Sequence, residues 1–470
     1  MDNCIILAGG QGKRMKTNKP KVLLEVLGEP MLEWVIKACE SAGIGNICVV
    51  KGYEGEQVEA YVQSRNGSAD VQTVLQSERL GTGHAVMMAA DYLKERIGGN
   101  TLILCGDAPF IDRETISDSL ALHKKAGNAV TVVTSEIDEP KGYGRIIRTA
   151  DGISGIVEEK DCTDEQRKIK EINSGCYWFD TKALLGVLGE LKPNNAQKEY
   201  YLTDCISLLL SKGLKAGAFT SENKNVSLGA NDRKGLLALN DIARLGVIDK
   251  WLDFGIEFTC TDGVVIGSQV EIGAGTVIEP NVKLTGKTRI GEGCHIMSGC
   301  MLNNTTVGNN TVLNFVQSND AVVDDNVKIG PWVQLRPDSH VLSGAKIGDF
   351  VEIKNSIIGE GTAVAHLTYV GDSDVGSNVN FGCGVVTVNF DGEKKFRTTI
   401  GDNAFIGCNT NLVAPVKVGT SAYTAAGTTV THDVPDGALA IDRGKQANIE
   451  GYATRKLKAR NEKIAMQKKA

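Results

Sequence analysis

Long apolar runs, paired cysteines and an excess of positive charge are all missing from this chain, and each absence removes a class of function. The first apolar run, residues 4–8, is too short for a signal peptide or a membrane span and has no cleavage site after it. Twelve cysteines are scattered without a CxxC pair, and Cys4, Cys48 and Cys105 fall in apolar, strand-like runs. Reduced core thiols are therefore expected rather than a disulfide or zinc framework, and with them a cytoplasmic location without membrane insertion. A net charge of −6 and a pI near 5.7 argue against a dedicated nucleic-acid binder. The exception is local, because from Thr454 to Ala470 seven Lys/Arg stand against one Glu.

What is present is glycine and a rhythm. Between Val264 and Val430 an aliphatic residue recurs at every sixth position, often followed by glycine. Ile266, Ile272, Ile278, Leu284, Ile290, Ile296 and Leu302 keep step, as do Ile329, Leu335, Val341, Ile347 and Ile353. Ile400, Ile406, Leu412, Val418 and Val430 resume it, with Thr424 in the missing place. Neither a 3.6-residue helix nor a two-residue strand has this period. Three short strands around a triangular coil do, each hexad making one wall with its aliphatic residue inward. The expectation is a left-handed parallel β-helix, in which positions eighteen apart stack on one wall. The 54 glycines suit its tight corners.

A chain of 470 residues exceeds the roughly 250–300 that one core sustains, so the prism needs a companion domain. Upstream, apolar runs at 4–7, 47–50, 71–75 and 102–104 alternate with helical patterns at 30–42, 54–63 and 83–95. That alternation predicts a doubly wound α/β sheet, whose ligands bind beyond the carboxyl ends of the strands. The expected organisation is an α/β domain over 1–231, a linker helix over 232–255, the β-helix over 256–442 and a basic arm over 443–470.

Leu7-Ala8-Gly9-Gly10-Gln11-Gly12-Lys13-Arg14-Met15 follows the first strand directly. Glycines let backbone N–H groups close on phosphate oxygens, Lys13 and Arg14 add charge, and Pro20-Lys21 is placed to fold back over the same cavity. The motif is neither a P-loop nor a dinucleotide fingerprint. Two further blocks accompany it, Gln76-Ser77-Glu78-Arg79-Leu80-Gly81-Thr82-Gly83-His84 and Gly106-Asp107-Ala108-Pro109. Asp107 by itself reads equally well as a turn or N-cap residue. Together the three blocks resemble the sugar-nucleotidyltransferase (nucleotide-sugar pyrophosphorylase) family. The resemblance implies that Gln76, Gly81 and Thr82 meet the nucleotide base and that Asp107 binds magnesium. It extends to Gly142-Tyr143-Gly144-Arg145, Glu158, Asn173 and Gly229-Ala230-Asn231, implying sugar contacts by Gly144, Glu158 and Asn173 and a second magnesium ligand in Asn231. The chemistry is then attack of a sugar-1-phosphate on the α-phosphorus of a nucleoside triphosphate, with Lys21, Arg14 and Mg2+ reducing anion repulsion.

Six histidines occur, and His366 differs by its company. Arg336 and Lys354 are eighteen residues apart, so the coil should set two cations on one face, a phosphate site. Asn380 and Asn389 lie near a polar insertion at 391–398, a loop extruded from the solenoid that either builds a binding site or merely elaborates the surface. His366 could then act as a general base near neutral pH, particularly if Glu352 orients it. His123, His295 and His340 read as surface or packing residues and His84 as structural, while His432, in Thr431-His432-Asp433 near the end of the repeats, has no evident partners in the sequence.

These residues resemble the acetyltransferase half of the bacterial bifunctional family that joins N-acetylglucosamine-1-phosphate uridyltransferase to glucosamine-1-phosphate acetyltransferase, and the resemblance covers nearly the whole chain. It implies a cytoplasmic, homotrimeric enzyme of peptidoglycan and cell-wall synthesis using UTP, acetyl-CoA, glucosamine-1-phosphate and N-acetylglucosamine-1-phosphate. By the same resemblance His366 deprotonates the amine, Arg336 and Lys354 hold the phosphate, and Tyr369, Asn380 and Lys395 complete that pocket. Asn389, Phe390, Cys408, Ala426 and Arg443 match acetyl-CoA contacts. Three positions depart from the pattern: Phe390 stands for a tyrosine, Cys408 for a serine and Cys383 for an alanine. Two other readings remain at this point, a nucleotidyltransferase with a structural or regulatory prism and a prism-only acyltransferase with a dead α/β domain.

Overall fold

The computed structural model describes residues 2–149 and 152–467, so the end of the predicted basic arm, 468–470, lies outside the described residues. The chain forms two compact units, Met1–Val247 and Ile248–Ala470.

In the first unit, the apolar runs become strands β1 (Asn3–Ala8), β2 (Asn46–Lys51), β3 (Asp70–Leu75), β4 (Asn100–Cys105) and β5 (Val130–Glu136). They are followed by β6 (Arg145–Thr149), β7 (Gly152–Val157), β8 (Glu171–Asp180) and β9 (Ala216–Thr220). The sheet runs β9-β5-β8-β4-β1-β2-β3, with β6 and β7 attached to β8 as a hairpin. β1 is central and pairs in parallel with β2 and β4. The sheet is mixed, because β8 lies antiparallel between β4 and β5. Its alternation of Trp178 and Phe179, both fully buried, fits a strand with a packed helix on each face. Helices α1 (Met31–Ser41) and α2 (Gly55–Ser64) fall where the period predicts. The third predicted helix is broken at Ala89 into α3 (Thr82–Met88) and α4 (Ala90–Lys94). The helix expected over 232–255 is α5 (Arg233–Asp253), although it contributes residues to both units.

The second unit is a left-handed parallel β-helix of three walls. Among the described residues the first wall has eleven strands, from Glu257–Phe258 to Leu439–Ala440, the second ten and the third nine. Every aliphatic residue of the three hexad runs is buried, including Ile353 and Val418 at zero exposure. Thr424 also points inward, and its hydroxyl is satisfied by Gly407 N–H at 2.9 Å and Thr410 Oγ1 at 3.0 Å. The eighteen-residue coil is not uniform. Leu302 stacks on Ser318 and Leu313 on Ile329, sixteen apart, and Ile353 on Val370, seventeen apart. The shortened corners turn on single residues with positive φ, such as Asn304 at 47° and Asp320 at 48°, which spare one residue of chain; Asn and Asp tolerate this conformation best. Phe315, Trp332 and Phe350 adopt it as well; their exposed rings adjoin, Phe315 tilted against Trp332 at 5.9 Å and Trp332 stacked on Phe350 at 5.2 Å, which offsets part of the strain. The loop at 391–398 is pinned by Arg397, whose guanidinium holds Asp374 at 2.6 Å and the Asn355 carbonyl at 3.0 Å. Within the predicted basic arm a helix, α6 (Tyr452–Gln467), carries no buried side chain.

Because Ile353 is sealed between Leu335 and Val370, Ile353→Ala should cost the second unit about 2–5 kcal/mol. Val322→Ala, on the outer face of the same prism, should stay within about 0.5 kcal/mol. Denaturant midpoints of the two variants check the contrast.

Candidate functional sites

The first site lies where the sheet geometry predicts, past the carboxyl ends of β1, β3 and β4. A cleft of ≈ 480 Å³ is lined there by Leu7, Gly9, Gly10, Gly12, Arg14, Lys21, Gln76, Gly81, Thr82, Asp107 and Asn231, among others. Ala8 is buried beneath it. The glycines are required individually. A Cβ at Gly9 would meet Gln76 Oε1 at 2.7 Å, and Gly12 turns at φ 59° with Lys21 Cβ 3.0 Å from its own Cβ position. Gly81, at φ 111°, lies against the Tyr200 backbone, where a Cβ would come within 2.6 Å of the carbonyl oxygen.

Lys21 organises the polar end of this cleft. Its ammonium pairs with Asp107 and donates to Asn231 Oδ1 at 2.8 Å, with the side chain almost wholly buried. Residues 210 apart in sequence are brought together by a small core of Met15, Leu24, Met31, Ala230, Leu236 and Leu239. Arg233 Nε fastens the same junction by donating to the Met15 carbonyl at 3.0 Å. The two acidic or amide oxygens that converge on one point are hard donors. Among the described residues no cluster of three or more His, Cys, Asp or Glu is available to hold a metal. A two-oxygen set suits a cation that keeps waters and takes phosphate oxygens, as Mg2+ does, and not one needing a full protein cage.

Gly144, Glu158 and Asn173 form a second group beside the cleft. A Cβ on Gly144 would lie 3.4 Å from Glu158 Oε2 and 3.6 Å from Asn173 Cβ. Asn173 is fixed by Tyr177 Oη at 2.6 Å, and Glu158 accepts from Thr203 Oγ1 at 3.4 Å. Burial raises the Glu158 carboxyl above the usual glutamate range, and Asp161, Asp204 and Glu199 add to it. Cys105, on the cleft wall, is within electrostatic reach of Asp107, Lys21 and Glu158, which joins the two groups; burial first, then Asp107, pushes its thiol up to about 12. Thr82 and Gln76 also do structural work: Thr82 Oγ1 accepts from Leu202 N–H at 3.1 Å, and Gln76 Nε2 donates to the Gly81 carbonyl at 3.1 Å. Sequence reasoning missed Tyr200, which accepts from Gly83 N–H at 2.8 Å and donates to the Leu80 carbonyl at 2.7 Å. It belongs to no motif, and only the Gly81 constraint pointed to it.

The second site is on the prism. Arg336 and Lys354 are in register on the second wall, since Leu335 pairs with Ile353 and Arg336 N–H donates to the Ile353 carbonyl at 2.8 Å. Tyr369 follows on the next strand of that wall, paired with Glu352. Lys395 reaches the same face from the inserted loop. Its amine, then burial, then Arg336, lower the pKa of Lys354 below the ordinary lysine value. Like charges gathered this closely are a poor structural element and a ready anion site. Asp372, buried, takes the amides of Asn355 at 2.6 Å and of Asn389, whose Nδ2 also donates to Tyr369 Oη at 3.4 Å. Asn389, expected at acetyl-CoA, is thus tied to the cation face. Asp372 was the missed residue here, a buried acid at a positive-φ corner.

Glu352 does not orient His366: its carboxylate is engaged by Arg336 Nη1 at 2.8 Å. His366 is exposed at the corner after the first-wall strand Ala363–His366, and its ring makes no hydrogen bond to the described residues. Asn380 shares that wall, paired with Ala363. Register carries the column from Asp349 through His366, because Asp349 pairs with His366, and Asn409 and Gly427 N–H groups donate to Cys383 and Cys408 carbonyls at 2.8 Å in the same pattern. His366, Cys383, Cys408 and Ala426 therefore lie in one column. Phe390 is exposed and bridges Lys395 across the loop, and Arg443 is exposed beyond the last strand. Of the other histidines, His295 pairs with Glu279 at 2.8 Å, His340 with Asp324 at 2.9 Å and His432 with Thr431 at 3.0 Å.

The nucleotidyl transferase family model matches residues 3–257, and the GMPPB C-terminal domain model matches 260–339. A bifunctional protein GlmU of Thermoanaerobacter pseudethanolicus is 46% identical over 455 residues, 97% of this chain and 98% of its own. One from Acetivibrio thermocellus is 44% identical over 460 residues, 98% of each chain. The chain belongs to the bifunctional GlmU family. A third relative, from Caldanaerobacter subterraneus, is 46% identical and covers 97% of this chain and 98% of its own. The GlmU likeness thus spans both units, and no helix among the described residues is long and apolar enough to cross a membrane.

The Lys354–Lys395 repulsion has a measurable sign. Lys354, its pKa lowered, loses its charge at lower pH than an ordinary lysine, so inorganic phosphate binding should weaken early on the alkaline side. Lys395→Ala should weaken phosphate by about tenfold at neutral pH and move that alkaline loss upward, as calorimetric Kd against pH would show.

Proposed function

We propose that the chain performs both reactions of its family. The prism transfers acetyl from acetyl-CoA to the amine of glucosamine-1-phosphate, and the α/β unit transfers uridylyl from UTP to the resulting N-acetylglucosamine-1-phosphate, releasing pyrophosphate. The observation that carries this reading is the three-cation face of Arg336, Lys354 and Lys395 beside the His366 column. A purely structural coil has no reason to gather like charges. The product feeds cell-wall synthesis, and the enzyme works in the cytoplasm.

In uridylyl transfer, the Gly9–Gly12 backbone cradles the triphosphate, and Gln76, Gly81 and Thr82 meet the base. Gly144, Glu158 and Asn173 hold the sugar. Lys21 and Arg14 draw two anions together for in-line attack, lowering a repulsion that water would otherwise screen. Asp107 and Asn231 hold Mg2+, which when bound neutralises charge on the triphosphate and the departing pyrophosphate. No covalent nucleophile is needed.

In acetyl transfer, Arg336, Lys354 and Lys395 seat the sugar phosphate while Tyr369 and Asn380 orient the ring. His366 removes a proton from the 2-amino group, which attacks the thioester carbonyl, and the CoA thiolate leaves. Asn389, Phe390, Cys408, Ala426 and Arg443 contact acetyl-CoA; Arg443 suits its phosphates. Phe390 lacks the family's hydroxyl, one hydrogen bond worth on the order of 1 kcal/mol. The cation face is on the second wall and His366 on the first. A homotrimer supports their meeting, with walls of different subunits apposed, and the exposed row of Phe315, Trp332 and Phe350 supplies an apolar edge for such packing.

His366→Ala should cut acetylation by about 10²–10⁴-fold and leave uridylyl transfer intact. Asp107→Ala should do the reverse. Assaying both half-reactions on both variants decides the assignment, and wild-type acetylation in His366→Ala would remove the base from the account.

A further inference from the structure

Cys383 and Cys408 are distant in sequence and adjacent in space. Asn380 pairs with Phe405 and Phe381 with Ile406, and two residues further on that register sets Cys383 beside Cys408. The Asn409 N–H bond to the Cys383 carbonyl, 2.8 Å, repeats the Leu367 bond to Asp349 that accompanies the Asp349–His366 pair. A Cβ on Gly382 would lie 2.5 Å from Cys408 N, so the two backbones are in close contact there. Neighbouring coils are about 4.8 Å apart. That falls within the roughly 4.4–6.8 Å Cα separation a disulfide spans. His366 is one coil before Cys383 in this column.

Accessibility separates this pair from the other thiols. Cys408 is exposed and Cys383 half-buried, whereas eight cysteines are buried, among them Cys4 and Cys39, whose sulfurs are 3.7 Å apart in the core. Cys105 is half-buried, and Cys260, though exposed, has no cysteine beside it in the register among the described residues.

We propose that Cys383 and Cys408 are a dithiol modification site on the acetyl-donor column, oxidised by exchange with a small-molecule disulfide, and that closing it stops acetylation while sparing uridylyl transfer. This rests on the reading that acetyl-CoA binds along that column. The oxidant is coenzyme A disulfide, the oxidised form of the reaction's own leaving group, which the same contacts would seat. The more accessible Cys408, as thiolate, attacks one sulfur; the S–S bond breaks and one CoA leaves as a thiolate that takes up the proton Cys408 released. Cys383, deprotonated in turn, attacks the Cys408 sulfur of the mixed disulfide and expels the second CoA thiolate. Two protein thiols lose two electrons in all, and one CoA disulfide becomes two CoA thiols. The bridge then lies in the column between His366 and Ala426, where the acyl group must pass.

The full-length enzyme is incubated with CoA disulfide, and both half-reactions, intact mass and peptide maps are followed. Acetylation should fall about tenfold or more with a Cys383–Cys408 linked peptide, return on reduction with dithiothreitol, and leave uridylyl transfer unchanged. Cys383→Ala should stop at the mixed disulfide and keep one CoA by mass. Cys408→Ser, judged against its own untreated rate, should lose the sensitivity. Unchanged acetylation with no linked peptide, or inhibition that survives in Cys408→Ser, overturns the proposal. An untreated enzyme that does not acetylate would instead sink the proposed function, and the linked peptide would still decide whether the dithiol exists.

Discussion

In-register stacking of coils, with one inward aliphatic residue per hexad, is the constraint on which the acetyl-transfer half depends. Once Leu335, Ile353 and Val370 are sealed one above another, every outward residue has a fixed neighbour on the next coil. Parallel ladders hold that neighbour at a spacing of about 4.8 Å. Sequence separation is thereby converted into position, so that Arg336 and Lys354 share a wall and His366, Cys383, Cys408 and Ala426 share a corner. The inserted loop does not disturb this. Asn380 pairs with Phe405 across twenty-five residues of chain as regularly as elsewhere, because Arg397 and Asp374 tie the loop outside the ladder.

The α/β unit achieves convergence differently. Its sheet brings the ends of three parallel strands to one edge, and a side core around Met15 and Ala230 brings in Asn231 from the far end of the domain. Lys21 then balances Asp107 where both would otherwise be costly to bury. Both sites obey one electrostatic logic. Cations are concentrated at each, as an ion pair of Lys21 with Asp107 in one case and as the opposed Lys354 and Lys395 in the other.

Much of this was legible in the sequence, for reasons that can be named. The hexad period has no competing interpretation, and the strand ends carried motifs whose glycines answer to specific steric demands, such as Gly9 against Gln76. Less was legible where geometry overrides spacing. Shortened coils of sixteen and seventeen residues arise at single positive-φ corners, which nothing in a hydrophobic pattern marks. Glu352 was expected to orient His366, but the nearby Arg336 guanidinium engages its carboxylate instead. The antiparallel β8 and the roles of Tyr200 and Asp372 depend on long-range pairing that no local motif encodes.

The central claim is that the prism's register builds the acetyl-transfer site, with phosphate on one wall and the base and acyl donor along one corner. A crystal structure of the full-length protein with glucosamine-1-phosphate and a non-reactive acetyl-CoA analogue tests it directly. The account predicts phosphate oxygens on Arg336, Lys354 and Lys395, the 2-amino nitrogen within hydrogen-bond reach of a His366 ring, and the acyl group over Cys408 and Ala426. A sugar phosphate bound away from the three cations, or an amine out of reach of every His366, would contradict it.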